Sequence, residues 1–229
     1  MVIGRALSLA LIAGVIFTVP MAHTFADDES GEISALEEDL AKTPGNAEKQ
    51  TRLGLAYLKS GRYQKAVAPL KKALEIDANA PEIHFYMGLA YGALGRHVEK
   101  IEAYKQAVRL NPKFGLAHFK LGLAMAALER HQEAIEHYQE SIKIEPAYTQ
   151  ARYFLAVSYY LSNRFKEALD PLQKAINLEP GNAHVYYLLG LCHLKLGQYK
   201  EAIVPLKKAM RINPRLIEDQ VNANVVARN

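Results

Sequence analysis

The chain has 229 residues, half of them hydrophobic and 23% charged, with a formal net charge of +4. That balance is typical of a globular protein and excludes an intrinsically disordered one. No run of Lys or Arg exceeds two residues, so the basic patch that nucleic-acid binding requires is missing, and a single cysteine excludes an internal disulfide.

The first 26 residues have the pattern of a secretory signal peptide. Arg5 precedes an uncharged run from Ala6 to Val19, and Thr24 and Ala26 are the small residues before a predicted cleavage site. The run is shorter than the ~20 residues of a membrane-spanning helix. The signal pattern predicts export. Because the chain also lacks an N-x-S/T glycosylation acceptor, we expect a bacterial periplasm and not a secretory lumen. The alternative is an inner-membrane anchor formed by residues 6–19.

Residues 27–46 form an acidic lead segment. Asp27 to Asp39 holds seven acidic residues and no basic one, yet Ile33, Leu36 and Leu40 recur at helical spacing before Pro44. This pattern predicts a lone helix over 32–42 that acts as a cap and covers the apolar edge of the first unit that follows it.

Five copies of one pattern follow at a period of 34 residues. Small residues recur at one register and prolines mark the end of a unit, where a helix stops. Each copy therefore predicts two helices of about fourteen residues that approach closely at the small residues. The two columns are Gly54, Gly88, Gly122, Ala156 and Gly190, and Pro112, Pro146, Pro180 and Pro214.

A 34-residue unit with Leu-Gly-x-x-Tyr, a later alanine and a closing proline resembles the tetratricopeptide repeat (TPR). The resemblance implies an all-α, right-handed α-solenoid of five helix-turn-helix units with capping helices at both ends. The units are 47–80, 81–114, 115–148, 149–182 and 183–216, and the C-terminal cap is 217–229. Glu129 and Asn163 replace the turn glycine of the family pattern. Three prolines, Pro69, Pro171 and Pro205, fall within predicted second helices and are expected in the first turn, where few hydrogen bonds are lost.

Catalytic, metal and cofactor patterns are missing from the sequence. The pairs His84 and His118, and His97 and His131, are each separated by one whole repeat, too far apart to share a zinc ion. Cys192 lies in a column of small residues and is interpreted as a core thiol. We therefore predict a protein that is not an enzyme and holds neither cofactor nor metal; a metal protein or enzyme is the remote alternative.

The family resemblance implies a binding surface along the concave face, which the first helices line. Members that clamp a C-terminal carboxylate carry Lys and Asn there, and this chain does not, although Arg52 and Lys120 keep some positive charge nearby. The aromatic column at Phe85 has two open interpretations, a binding ladder or helix packing. The predicted groove comprises Thr51, Leu55, Phe85, Leu89, Phe119, Lys120, Leu123, Tyr153, Val157, Tyr160, Tyr187 and Leu191, with Leu58, Gly92, Ala126 and Leu194 at a further register.

These expectations combine into an exported protein-interaction scaffold or assembly factor of the cell envelope. Its groove is predicted to bind an apolar peptide or helix from a protein partner. The alternative is a self-assembling structural platform, in which solenoid ends or convex faces associate into homo-oligomers.

Overall fold

The computed structural model describes residues 26–216, with side chains from Ser30 onward. The predicted signal peptide, apart from Ala26, and the predicted cap over 217–229 lie outside these residues. Eleven helices and no strand occur between residues 26 and 216, which confirms the all-α prediction.

The helices consist of one lone helix followed by five pairs. The lone helix is α1 (Ala26–Lys42). The pairs are α2 (Ala47–Lys59) with α3 (Tyr63–Ile76), α4 (Pro81–Ala93) with α5 (His97–Leu110), α6 (Gly115–Ala127) with α7 (His131–Ile144), α8 (Thr149–Leu161) with α9 (Phe165–Leu178), and α10 (Ala183–Lys195) with α11 (Tyr199–Ile212).

The chain divides into two compact units at Ala124 and Met125, within α6. In the N-terminal unit, α2 packs on α3 and α4 packs on α5, while α3 also contacts α4. The C-terminal unit repeats this arrangement with α8 on α9, α10 on α11, and α9 against α10. A first helix therefore buries one side on its own partner and another side on the preceding second helix.

Glycine permits the close approach of paired helices. A Cβ added at Gly88 would collide with the ring of Tyr104 on α5, and one added at Gly54 would collide with Leu70. Tyr104 and Leu70 are both buried. At Gly54 and Gly88, the glycine column of the sequence therefore reflects helix packing within the repeat.

The turn between paired helices requires a left-handed residue. Gly61 and Gly95 both have φ of 71°, a conformation that glycine adopts without steric cost. Glu129 and Asn163 stand at the same register with φ of 60°. The sequence changes at these two turns thus leave the turn conformation intact and place a side chain in a region that disfavours it.

The expectation that Pro69, Pro171 and Pro205 lie in first helical turns is wrong. Each is the seventh residue of its helix, and each helix continues through it. A proline there removes a hydrogen bond to the residue four positions earlier. All three rings are buried in the repeat core, and this burial of apolar surface offsets part of the loss.

Helix α1 lies on α2 and begins six residues before the predicted start at Glu32. Its three apolar residues, Ile33, Leu36 and Leu40, are all buried in the N-terminal core. They stand at the register of Val67, Leu70 and Leu74 in α3. Helix α1 therefore occupies the place of a second helix that lacks its own first helix.

Candidate protein-binding surface

The predicted groove residues of the N-terminal unit divide into two groups. Phe85 and Phe119 are buried, with 4% and 2% of their surface exposed. Leu55, Leu89 and Leu123, which share one register on α2, α4 and α6, are half-buried. The surface open to a ligand in this unit therefore consists of the leucine register more than of the aromatic rings.

Phe85 is buried because three rings surround it. Its centroid lies 5.7 Å from that of Tyr104 on α5, 5.0 Å from that of Phe114 and 5.9 Å from that of Tyr86. Such distances are those of packed aromatic pairs. Phe85 thus packs against its own second helix and against the end of its own repeat just before α6, which is a packing role.

Thr51 and Lys120 are the polar members of the predicted groove in this unit. Thr51 is half-buried, and its hydroxyl donates to the carbonyl of Ala47 at 2.8 Å. Lys120 is half-buried with its Nζ 5.9 Å from the centroid of Phe119. Burial lowers the pKa of Lys120, because removal from water disfavours the charged amine. Its ammonium makes no ion pair with any residue between 30 and 216.

Lys100 is a second half-buried lysine, and it stands at a position where the other four repeats have an alanine. Its stem packs against Gly92, where an added Cβ would lie 3.1 Å from Lys100 Cδ. Burial lowers the pKa of Lys100 as well. The small residue at Gly92 therefore leaves room for a long side chain that enters from α5.

In the C-terminal unit the predicted groove residues are more deeply buried. Tyr153 and Val157 are each 2% exposed, and Tyr160 is buried against Phe165 with ring centroids 5.3 Å apart. Burial, with a smaller contribution from the neighbouring Cys192, raises the pKa of Tyr160 to about 12. Tyr187 and Leu191 on α10 are half-buried, so the accessible part of this unit lies on its last first helix.

One column of polar residues has a structural role that was not predicted from the sequence. Near the start of four successive first helices, a polar side chain lies within hydrogen-bond distance of the backbone carbonyl six residues earlier, in the turn between repeats. The contacts are Gln50 to Pro44 at 3.2 Å, His84 to Ala78 at 3.1 Å, His118 to Pro112 at 3.2 Å and Arg152 to Pro146 at 2.5 Å. The side chains of His84 and His118 therefore stabilise the turns that precede α4 and α6.

The potential metal ligands and the single cysteine are the other chemically reactive groups of the chain. Between residues 30 and 216, no three side chains of His, Cys, Asp or Glu are grouped in a way that would hold a metal ion. Cys192 is fully buried, and burial raises the pKa of its thiol to about 12. A thiol in that state is a poor nucleophile at neutral pH. No helix in the described part of the chain is both long and apolar enough to cross a bilayer.

Family models match most of the repeat region. A TPR repeat model matches residues 54–95, a tetratricopeptide repeat model matches 85–149, and the model of anaphase-promoting complex, cyclosome, subunit 3 matches 131–209. The matches together run from the first repeat to the last. The chain belongs to the tetratricopeptide-repeat family.

Solved structures share the fold. The crystal structure of YrrB, described as a TPR protein with an unusual peptide-binding site, has 21% identity and a TM-score of 0.75, covering 84% of this chain and 99% of that one. A crystal structure of MamA has 27% identity and a TM-score of 0.67, with coverages of 72% and 97%. MamA from Desulfovibrio magneticus RS-1 has 21% identity and a TM-score of 0.68, with coverages of 73% and 95%. No curated protein sequence matches.

Proposed function

We propose that this chain is a non-catalytic protein-interaction scaffold that binds an apolar peptide or helix along the first helices of its N-terminal unit. The observation that carries the proposal is the leucine register: Leu55, Leu89 and Leu123 recur at one position per repeat and stay half-buried although the core around them is closed. Apolar side chains at a regular spacing favour an extended or helical apolar ligand.

Contacts between repeats support a single surface along α2 and α4. These two first helices touch each other directly, so Leu55 and Leu89 belong to neighbouring elements. Half-buried Lys120 adds a positive charge without an acidic partner in the described residues. A ligand that carries a carboxylate beside its apolar residues would therefore recover an interaction that an entirely apolar ligand would not.

YrrB supports the same proposal at the level of the fold, since it is described as having a peptide-binding site. The chain is less open in its C-terminal unit, where Tyr153 and Val157 are buried. We therefore assign the first contact with a partner to the N-terminal unit.

Substitution of the leucine register tests this function. Leu55→Lys and Leu89→Lys in the full chain are expected to abolish recovery of protein partners from an extract of the native cells. Val98→Lys is the matched control, because Val98 is an apolar residue of the same unit that is already 79% exposed on α5. Equal recovery by all three folded variants would overturn the proposal.

The cell envelope is part of the same proposal, resting on the signal-like sequence before Asp27. Cleavage after Ala26 predicts that the protein isolated from its native cells begins at Asp27. An intact-mass measurement that finds the chain starting at Met1 would instead support the anchored alternative. Recovery from the cytosolic fraction alone would contradict export.

A further inference from the structure

Helix α11 carries an apolar side that the described residues leave uncovered. Tyr199, Ile203 and Met210, which we call the α11 stripe, are 69%, 49% and 48% exposed. They are spaced by four and seven residues, so at about 100° per residue they lie on one side of the helix. The opposite side, which includes Ala202 and Ala209, is buried against the repeat core.

At the same register in earlier repeats, the first helix of the next repeat lies against the second helix. Ile203 corresponds to Val67 and Ile135, which are 7% and 2% exposed. Met210 corresponds to Ile176, which is 9% exposed. These three residues belong to α3, α7 and α9, and each of those helices packs against the first helix that follows it, namely α4, α8 and α10. The exposure of the α11 stripe therefore marks the place of one more first helix.

The backbone leaves α11 by the same kind of turn that leads from α5 into α6. After α5, the backbone N–H of Lys113 donates to the side chain of Asn111 at 3.0 Å. After α11, the backbone N–H of Arg215 donates to the side chain of Asn213 at 3.1 Å. Leu216, the next residue, is 2% exposed and belongs to the core of the last repeat. The chain is thus directed, at Leu216, into the position of a first helix.

Residues 217–229 continue the sequence pattern of the first helices. Each of the five first helices has 13 residues, and residue 217 lies one 34-residue repeat after the start of α10. Ile217, Val221 and Val225 are spaced by four residues, so they favour one side of a helix. In α10, the same register holds Ala183, Tyr187 and Leu191.

Gln220 stands in the column of polar residues that stabilise the turns between repeats. In the first repeat, the side chain of Gln50 lies 3.2 Å from the carbonyl of Pro44, six residues earlier. The residue six positions before Gln220 is Pro214. The same two residue types therefore stand at the same register before the first repeat and after the last one.

Charge also favours this segment as the partner of α11. Helix α11 holds four basic residues and one acidic residue, and all five are exposed. Glu218 and Asp219 bring two negative charges to the start of the segment, and Arg228 lies near its end. Acidic residues in the first turn and a basic residue in the last turn stabilise a helix through its dipole.

We propose that residues 217–229 form a sixth first helix, which covers the α11 stripe of the same molecule. The tether selects this occupant, because a segment that begins directly after the anchored Leu216 is held near α11 at an effective concentration on the order of millimolar. A second copy would have to reach a similar concentration to compete. The proposal does not rest on ligand binding by the leucine register, and either property is testable without the other.

Amide hydrogen exchange of the full chain is the first test. We expect residues 220–226 to be protected at every protein concentration, and Ile203→Asp to accelerate their exchange roughly ten-fold, because it places a charge on the covered side. Val98→Asp makes the same type of change on exposed α5 and should leave this exchange unchanged. Unprotected residues 220–226, protection only at high protein concentration, or an equal effect of both variants would overturn the proposal.

Photo-cross-linking identifies what lies on the α11 stripe. A photoreactive amino acid at position 203 of the full chain, in a mixture of isotopically light and heavy chains, should form links to residues 217–229 of the same molecule. Links between light and heavy chains would identify a second copy as the occupant and overturn the proposal. Activation without any link to residues 217–229 would also overturn it.

Discussion

Some side chains in the repeat core depart from the repeat pattern and lower the stability of the folded protein. Ser141 stands in a column that holds alanine in every other repeat, namely Ala73, Ala107, Ala175 and Ala209. Its hydroxyl is fully buried and makes no hydrogen bond in the described residues. A buried hydroxyl without a partner loses its hydration and gains nothing in return.

Ser141→Ala should therefore stabilise the protein by about 1 kcal/mol, measured as the free energy of unfolding in urea. Ser34→Ala is the matched control, because the exposed Ser34 hydroxyl donates to the carbonyl of Ser30 at 3.0 Å. The control should change stability by less than about 0.5 kcal/mol. Destabilisation by Ser141→Ala would show that the hydroxyl has a favourable partner.

Glu129 also departs from the repeat pattern in a way that lowers stability, here through its backbone conformation. Its φ of 60° is one that glycine adopts at the matching turns, while a residue with a Cβ is disfavoured there by roughly 1–2 kcal/mol. Glu129→Gly should raise the free energy of unfolding by about 1 kcal/mol. Asn163→Gly should give a smaller gain, because asparagine tolerates the left-handed region better. Equal or larger stabilisation from Asn163→Gly would contradict the steric explanation.

At the scale of elements, α1 is attached to α2 by polar contacts as well as by its apolar side. Asp39 pairs with Lys49 at 2.5 Å, Glu32 with Arg52 at 3.3 Å, and the Tyr57 hydroxyl donates to Glu37. The acids all belong to α1 and their partners to α2. This one-sided arrangement fixes the register of a helix that has no partner of its own.

Tyr57→Phe should loosen α1 without unfolding the repeats, because it removes a hydrogen bond to a carboxylate while keeping the ring in the core. We expect amide hydrogen exchange across residues 33–40 to accelerate roughly five-fold, equivalent to about 1 kcal/mol. Tyr63→Phe is the control, since Tyr63 is exposed. Unchanged exchange in α1, or an equal change in the control, would contradict the assigned contact.

Prediction from sequence succeeded where a column of residues shares a residue type. Gly54 and Gly88 recur because a Cβ would collide with the facing helix. The packing requirement is therefore visible in the sequence as a single repeated residue type. The side chains of Gln50, His84, His118 and Arg152 share only a contact with a backbone carbonyl, and their three different residue types do not reveal that role in the sequence. The burial of Phe85 depends on Tyr104 and Phe114 from other helices, which no local pattern contains.

Several buried phenols make the stability of the whole molecule depend on alkaline pH. Burial, helped by the contact with Glu37, raises the pKa of Tyr57 from its ordinary value near 10 to about 12. Burial does the same for Tyr148 and Tyr160. The folded state holds these protons more tightly than the unfolded state, so their contribution to stability is complete below pH 10 and is lost as pH rises towards 12.

The free energy of unfolding in urea should therefore fall progressively from pH 10 to pH 12, and phenolate absorbance should appear with the loss of helical signal. Tyr57→Phe should reduce this pH dependence, because phenylalanine has no proton to lose. A free energy of unfolding that is constant between pH 10 and pH 12 would contradict the burial of these hydroxyls.

The central claim is that the N-terminal unit binds a protein along its leucine register. Photo-cross-linking in the native cells, with the reactive residue placed at Leu89 in one variant and at Val98 in another, tests it most directly. The account predicts a discrete protein adduct from position 89 and none from position 98. The same adduct from both positions, or an adduct from position 98 alone, would contradict it.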